Sequence, residues 1–417
     1  MTTGNDGPAA PIDSGLQSSP QTTVPSTGSR GGRKNVLDLA ARIALTQRGV
    51  QFFVRNKKKL NRFSANAKDS LGAEYGLQLN RFSPASVQRM ILLGYISRVE
   101  VGSRNFSLEQ ADLFDLTKLI LYTMLYHQFD SRVYDEIFES DLIVRWNRKH
   151  LRNPIDRDTP VNEEHLKKFM VEQQEVVSKL QAEITRPLTD SIETNLDLQA
   201  DERQVQVFIV EKFVSNLRPF IWFLLAQFRG SEEYFALVTS IRQLMDDYRK
   251  RTGIAEYAAL VTREVVSNAE NMNIQDYARL TYGNTWDSGR LLFDKAVRER
   301  LAGELVSHAR TVVVHWALWS RSGATPGLNN LRIVVQNHQP ENLPIPSPDE
   351  DRSVYDRRKS LREYYADIPE TVTNTELALY YYSYLAEACR TRGVRFETSV
   401  HDSRKTGRTV TSLNFQF

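Results

Sequence analysis

The sequence predicts a mainly α protein: a large helical body, a few short C-terminal strands and a disordered N-terminal arm. Three observations carry this. Apolar residues recur at helical spacing over most of the chain from Asn35 to Ser320. Short β-branched runs stand out only after residue 330. Residues 1–34 are rich in Gly, Ser, Thr, Pro and Gln and cannot bury enough apolar surface to offset the entropy of ordering.

The elements follow in order. In NVLDLAARIALTQRG, Asn35 is a plausible N-cap, Val36, Leu39, Ala40 and Ile43 fall at helical spacing, and Gly49 is a stop. In SPASVQRMILLG, Ser83 caps, Pro84 takes the first helical position and Gly94 ends the turn. Ser107 and Gln110 form a capping-box pattern. The helix they open, about Leu108 to Phe129, is apolar nearly all round, as suits the inside of a large body. A second helix runs from about Ser131 to Lys149, and LRNPIDRDTP is a linker. Residues 161–185 read as one polar amphipathic helix, and 201–229 as another that Pro219 kinks. Ser231 to Arg251 is helical and stops near Gly253; Ile254 to Leu280 and Ser288 to Ser320 continue the pattern. LRIVV at 331–335 is a strand, and residues 339–350, with four prolines, form an extended exposed loop. A last helix spans about Asn374 to Arg392, before a β-hairpin built from VRFETSV and RTVTSLNF around SRKTG. The domain reading is an arm at 1–34 and a body at 35–417, the latter with room for a protruding subdomain.

The chain has 417 residues, 41% hydrophobic and 25% charged, ordinary values for a globular protein. A single cysteine, Cys389, excludes an internal disulfide framework and suits a reducing compartment. No run reaches the ~18 apolar residues that a membrane span needs. The N-terminus lacks the basic and apolar regions of a signal peptide, so a cytoplasmic setting without membrane attachment is expected.

The net charge of +3 hides an asymmetry. Residues 30–68 carry eleven bases and one acid, a net of +10, whereas the 349 residues after them hold 43 bases and 48 acids, a net of −5. The densest part is VQFFVRNKKKLNRF, Val50 to Phe63, where Arg55, Lys57, Lys58, Lys59 and Arg62 fall within eight positions. Phe52, Phe53 and Phe63 are expected to anchor this stretch and leave the bases outward. Together with Arg30, Arg33 and Lys34 at the root of the arm, these five are the candidate nucleic-acid-binding residues. Their attraction for phosphates would be sequence-independent, with a log–log salt slope near −4 to −5 for ~5 duplex contacts. A solvated basic turn beside the core is the competing reading.

No residue asks for a catalytic role. No phosphate-binding loop, dinucleotide fingerprint or nucleophile elbow occurs, and His308 and His315, seven apart, do not have zinc-ligand spacing. No cofactor or metal is expected. YYYSYL at 380–385 places Tyr380 and Tyr384 on one helix face, where they suit either subunit contacts or core packing.

The arm at 1–34, the basic RGVQFFVRNKKKLNRF at 48–63 and the helical remainder together resemble the layout of partitivirus capsid proteins, the coat proteins of double-stranded RNA viruses of fungi and plants. The resemblance covers the whole length in organisation and rests on no diagnostic motif. It implies a non-enzymatic coat subunit found in the virion and the host cytoplasm. Such a subunit dimerises and builds a closed shell around an RNA genome, with its arm facing RNA and a viral polymerase. Three other readings stay open: a nucleoprotein that sheathes single-stranded RNA, a cellular helical scaffold or adaptor, and an enzyme, which would need a pocket with perturbed ionisable groups.

Overall fold

The computed structural model describes residues 36–37, 39–63, 74–103, 106–152, 154–157, 161–283, 294–307, 311–319, 329–339, 357–359, 361–362, 375–403 and 408–417. The arm at 1–34 and nearly all of the proline-rich segment lie outside them.

The described residues form one nine-stranded antiparallel sheet. Its strands are β1 (Ala41–Leu45), β2 (Asn61–Phe63), β3 (Glu74–Leu79), β4 (Ile96–Ser103), β5 (Thr311–Trp319), β6 (Asn330–Gln339), β7 (Arg357–Lys359), β8 (Arg395–Ser403) and β9 (Arg408–Gln416). Their order is β2-β3-β1-β4-β5-β6-β9-β8-β7. The helices are α1 (Gln47–Arg55), α2 (Pro84–Leu92), α3 (Phe106–Glu139), α4 (Asp141–Lys149), α5 (Glu163–Glu172), α6 (Gln174–Glu193), α7 (Ala200–Ser215), α8 (Pro219–Gln227), α9 (Glu232–Tyr282), α10 (Lys295–Ser307) and α11 (Thr375–Thr391).

The architecture is therefore α+β, which corrects the expectation of a mainly α body with a few short C-terminal strands. Two misread stretches account for much of the difference. ARIAL, expected inside the first helix, is β1 near the middle of the N-terminal half of the sheet. VVVHWALW, expected as the end of a long helix, is β5, with Val312, Val314, Trp316 and Leu318 buried at period two. Other boundaries also move. α3 continues through residue 131 to Glu139, the polar helix breaks at Gln173, and Pro219 starts α8 instead of kinking a longer helix. α9 runs through Gly253 for 51 residues. The C-terminal hairpin and the helix stopping at Gly393, whose φ is +67°, are observed.

Two large apolar cores are stacked along two shared helices, and a third, small one packs α10 on the C-terminal part of α9. The first packs a sheet face, carrying Ile43, Val99, Trp316, Ile333 and Leu413 in register, against the first half of α3, the second half of α9 and α11. The second is mostly helical and joins the second half of α3 and the first half of α9 to α4–α8, with Ile155 from the segment after α4; FIWFLLAQF lies inside it, with Phe220 through Leu225 all buried. The change of core falls between Met124 and Leu125 on α3 and between Tyr248 and Ile254 on α9. A rigid pair of long helices thus ties the sheet to the helical layer.

The opposite sheet face carries a charged row. Arg42 on β1, Glu100 on β4 and His315 on β5 are in register; the Arg42 Nη1 donates to Glu100 at 3.3 Å, and His315 Nδ1 lies 3.4 Å from the same carboxylate. Burial moves the Glu100 pKa upward, but His315, Arg98 and Arg42 outweigh it and hold the group below its ordinary value. Burial pushes the His315 pKa down against the pull of Glu100, and it pushes that of His127 down as well. A folded pKa below the unfolded value near 6.5 gives stability that is complete above pH 6.5 and drains away as the pH falls from there. We expect the urea midpoint to drop between pH 6.5 and 5.5, with a limit of about 1.4 kcal/mol per pH unit per histidine. The variant His315→Gln should lose about half of that slope; an unchanged slope would mean that His315 does not carry the effect.

Candidate nucleic-acid interface

The basic stretch is a rigid corner formed by α1, a turn and β2. Thr46 starts it: its hydroxyl accepts from the Gly49 amide at 3.1 Å and donates to the Gly94 carbonyl at 2.7 Å, so the helix is capped and pinned to the turn after α2 at once. Gly49 lies directly on the chain at Tyr95, where a Cβ would meet the Tyr95 carbonyl oxygen at 2.4 Å. Val50 and Phe53 pack against the sheet–helix core. Phe52 departs from the expected anchoring role: it is 39% exposed and stacks on the Tyr95 ring with centroids 4.7 Å apart.

The helix ends in a Schellman motif. The Lys58 amide donates to the Phe53 carbonyl at 3.0 Å and the Lys57 amide to the Val54 carbonyl at 3.0 Å. Lys57 takes the left-handed position, φ +55°, that glycine usually fills, and it alone among the described non-glycine residues has a positive φ. This conformation costs a side chain on the order of 1 kcal/mol. β2 then pairs with β3 at the sheet edge, Arg62 opposite Tyr75.

The structure brings together Arg55, Lys57, Lys58, Lys59 and Arg62, all exposed. It adds Arg48, also exposed, which sits two helical turns before Arg55 and faces the Tyr95 ring at 5.8 Å. Sequence reasoning counted Arg48 as charge but not as part of the site, because it stopped the first helix at Gly49; α1 instead runs through Gly49 and carries both Arg48 and Arg55. Among the described residues, none of the five is paired with an acid, whereas the neighbouring Arg42 and Arg98 are bound to Glu100 and Glu74. Arg30, Arg33 and Lys34 lie outside the described residues. The α1 C-terminus carries partial negative charge, which favours Arg55, Lys57 and Lys58 there but does not account for Lys59 or Arg62.

β2 depends on Gly76 of β3. A Cβ there would meet the Ile43 carbonyl oxygen at 2.1 Å and the Phe63 ring at 2.3 Å, because the Phe63 side chain lies across this position. The substitution Gly76→Ala is expected to displace β2, lower stability by about 2 kcal/mol or more and weaken polyanion binding with it. Amide exchange across Asn61–Phe63 measures the displacement; protection equal to wild type would contradict it.

The other chemical candidates offer less. Burial pushes the Cys389 thiol up to about 12, so it stays protonated in the core. Among the described residues no group of His, Cys, Asp and Glu could hold a metal ion, and no helix is long and apolar enough to cross a membrane. His308 lies outside the described residues.

No solved structure matches the chain. It is 30% identical over 388 residues to an uncharacterized protein of Treponema pallidum (strain Nichols), an alignment covering 92% of this chain and 99% of that protein. The profile of a family of unknown function, DUF8084, matches residues 32–417, which include the whole basic corner, and the chain belongs to that family.

Proposed function

We propose that this protein is a self-associating structural subunit whose α1–β2 corner holds RNA by its phosphates without reading sequence. The observation that carries this is the cluster of exposed bases, unpaired among the described residues, on a backbone fixed at both ends, by the Thr46 cap and by the β2–β3 pairing. Groups placed in advance lose little freedom when they meet a polyanion. A solvated turn would not need a lysine in a left-handed position. The coat-type arrangement, with copies closing into a shell and this corner facing the genome, is one form that such a function takes. The resemblance to partitivirus capsids gains nothing from the comparisons, whose reported relative is bacterial, so the proposal rests on surface chemistry.

The test uses the full chain. Sedimentation at micromolar concentration should show species larger than a monomer. Labelled duplex RNA should bind at 50 mM salt and dissociate as salt rises. A strict monomer would remove the first half of the reading, and absence of binding at low salt would remove the second.

A further inference from the structure

The tyrosine run of α11 splits between two roles. Tyr381 and Tyr382 pack against the sheet–helix core, Tyr382 facing Phe396 at 5.9 Å. Tyr380 and Tyr384 point outward, 55% and 44% exposed. They touch at 4.6 Å between centroids, the Tyr380 hydroxyl lies 3.1 Å from that of Tyr384, and Tyr384 stacks on Tyr257 of α9 at 5.8 Å. A turn further on, Glu387 and Arg390 are exposed and paired with each other at 2.7 and 2.9 Å. Residues 380, 384, 387 and 391 share one face at coiled-coil spacing, and this stripe is exposed at every one of them.

We infer that this stripe is the contact for a second copy of the chain, packed antiparallel about a two-fold axis that passes between residues 385 and 386. The inference rests on the self-association proposed above and names its surface. The argument is self-complementarity. An antiparallel pairing with that centre sets Tyr384 opposite the partner's Glu387, and Tyr380 opposite the partner's Thr391, next to the partner's Arg390. The first pair joins a hydroxyl donor to a carboxylate acceptor. At the second, the neighbouring Arg390 brings a guanidinium to the aromatic face. Both pairs repeat on the other side of the axis, as an isologous interface requires. Glu387 and Arg390, already matched within one chain, bring a balanced charge to the seam, so two copies meet without net repulsion. Paired aromatics flanked by an arginine also fit the composition of interface centres. A partner of another kind would have to carry the same donor, acceptor and cation in the same order.

Sedimentation equilibrium of the full chain tests this with two variants. Tyr380→Ala/Tyr384→Ala should raise the dimer Kd by about 30-fold or more, as truncation of paired aromatic anchors does. Arg390→Glu gathers four carboxylates around the axis and should abolish the dimer at low salt. It changes one exposed side chain, so it reports on the seam even if the tyrosine variant, which loses its stacking on Tyr257, fails to fold. A wild type that associates, with both variants associating equally well, overturns the seam while self-association stands on another surface. A monomeric wild type overturns both.

Discussion

Replacing Lys57 with glycine and Lys58 and Lys59 with alanine is expected to weaken duplex RNA binding by two to three orders of magnitude at ~0.1 M salt. Each phosphate contact contributes about 0.9 to the log–log salt slope, so five contacts give a slope near −4.5 and two give about −1.8. The lost attraction is the counterion-release contribution of the three missing lysines, roughly tenfold each at that salt concentration. Glycine is the choice at position 57 because the backbone there has φ +55°. It relieves the strain, and the variant should be as stable as wild type or more so by about 0.5–1 kcal/mol. Affinity and stability then move in opposite directions, which no unfolding artefact can imitate. Fluorescence anisotropy across a salt series reads the slope and thermal unfolding reads the stability. An unchanged slope would assign the RNA contacts elsewhere.

The basic corner was legible because charge density needs no fold to be seen, but the helix that Arg48 shares with Arg55 was not, since Gly49 between them reads as a stop. Its rigidity was not legible. Gly49 and Gly76 matter because chains distant in sequence press on them, at Tyr95 and at Ile43. The sheet was misread for a related reason. β4, ISRVEVGS, alternates, but its polar side carries Arg98 and Glu100, whose partners Glu74, Arg42 and His315 come from three other strands. Read singly, such a strand looks like an exposed loop, and its assignment depends on pairing partners up to hundreds of residues away. β1 is only five residues long, and ARIAL satisfies a helical pattern as well as an extended one. The C-terminal strands were easier because β8 and β9 are adjacent in sequence and pair with each other.

The helices that join the two cores supply the second large effect. Lys118 of α3 is 2% exposed, and its Nζ lies 3.0 Å from the Glu256 carboxylate of α9 and 5.0 Å from the Phe114 ring centre. Burial also pushes the pKa of Asp115, beside it, upward against the pull of Lys118. An ammonium so placed tolerates the interior only while its carboxylate partner is present. We expect Glu256→Gln to cost about 3 kcal/mol, because it strands the cation between α3 and α9. The variant Lys118→Met, which keeps the stem and removes the charge, should fall within about 1.5 kcal/mol of wild type, because Glu256 is 35% exposed and within reach of water. The double variant should then resemble Lys118→Met, the costly step having been removed with the charge. Urea unfolding of all four proteins closes the cycle. If Lys118→Met proves the more damaging single change, the pair is a stabilising bridge across the helices and not a buried cation that Glu256 makes tolerable.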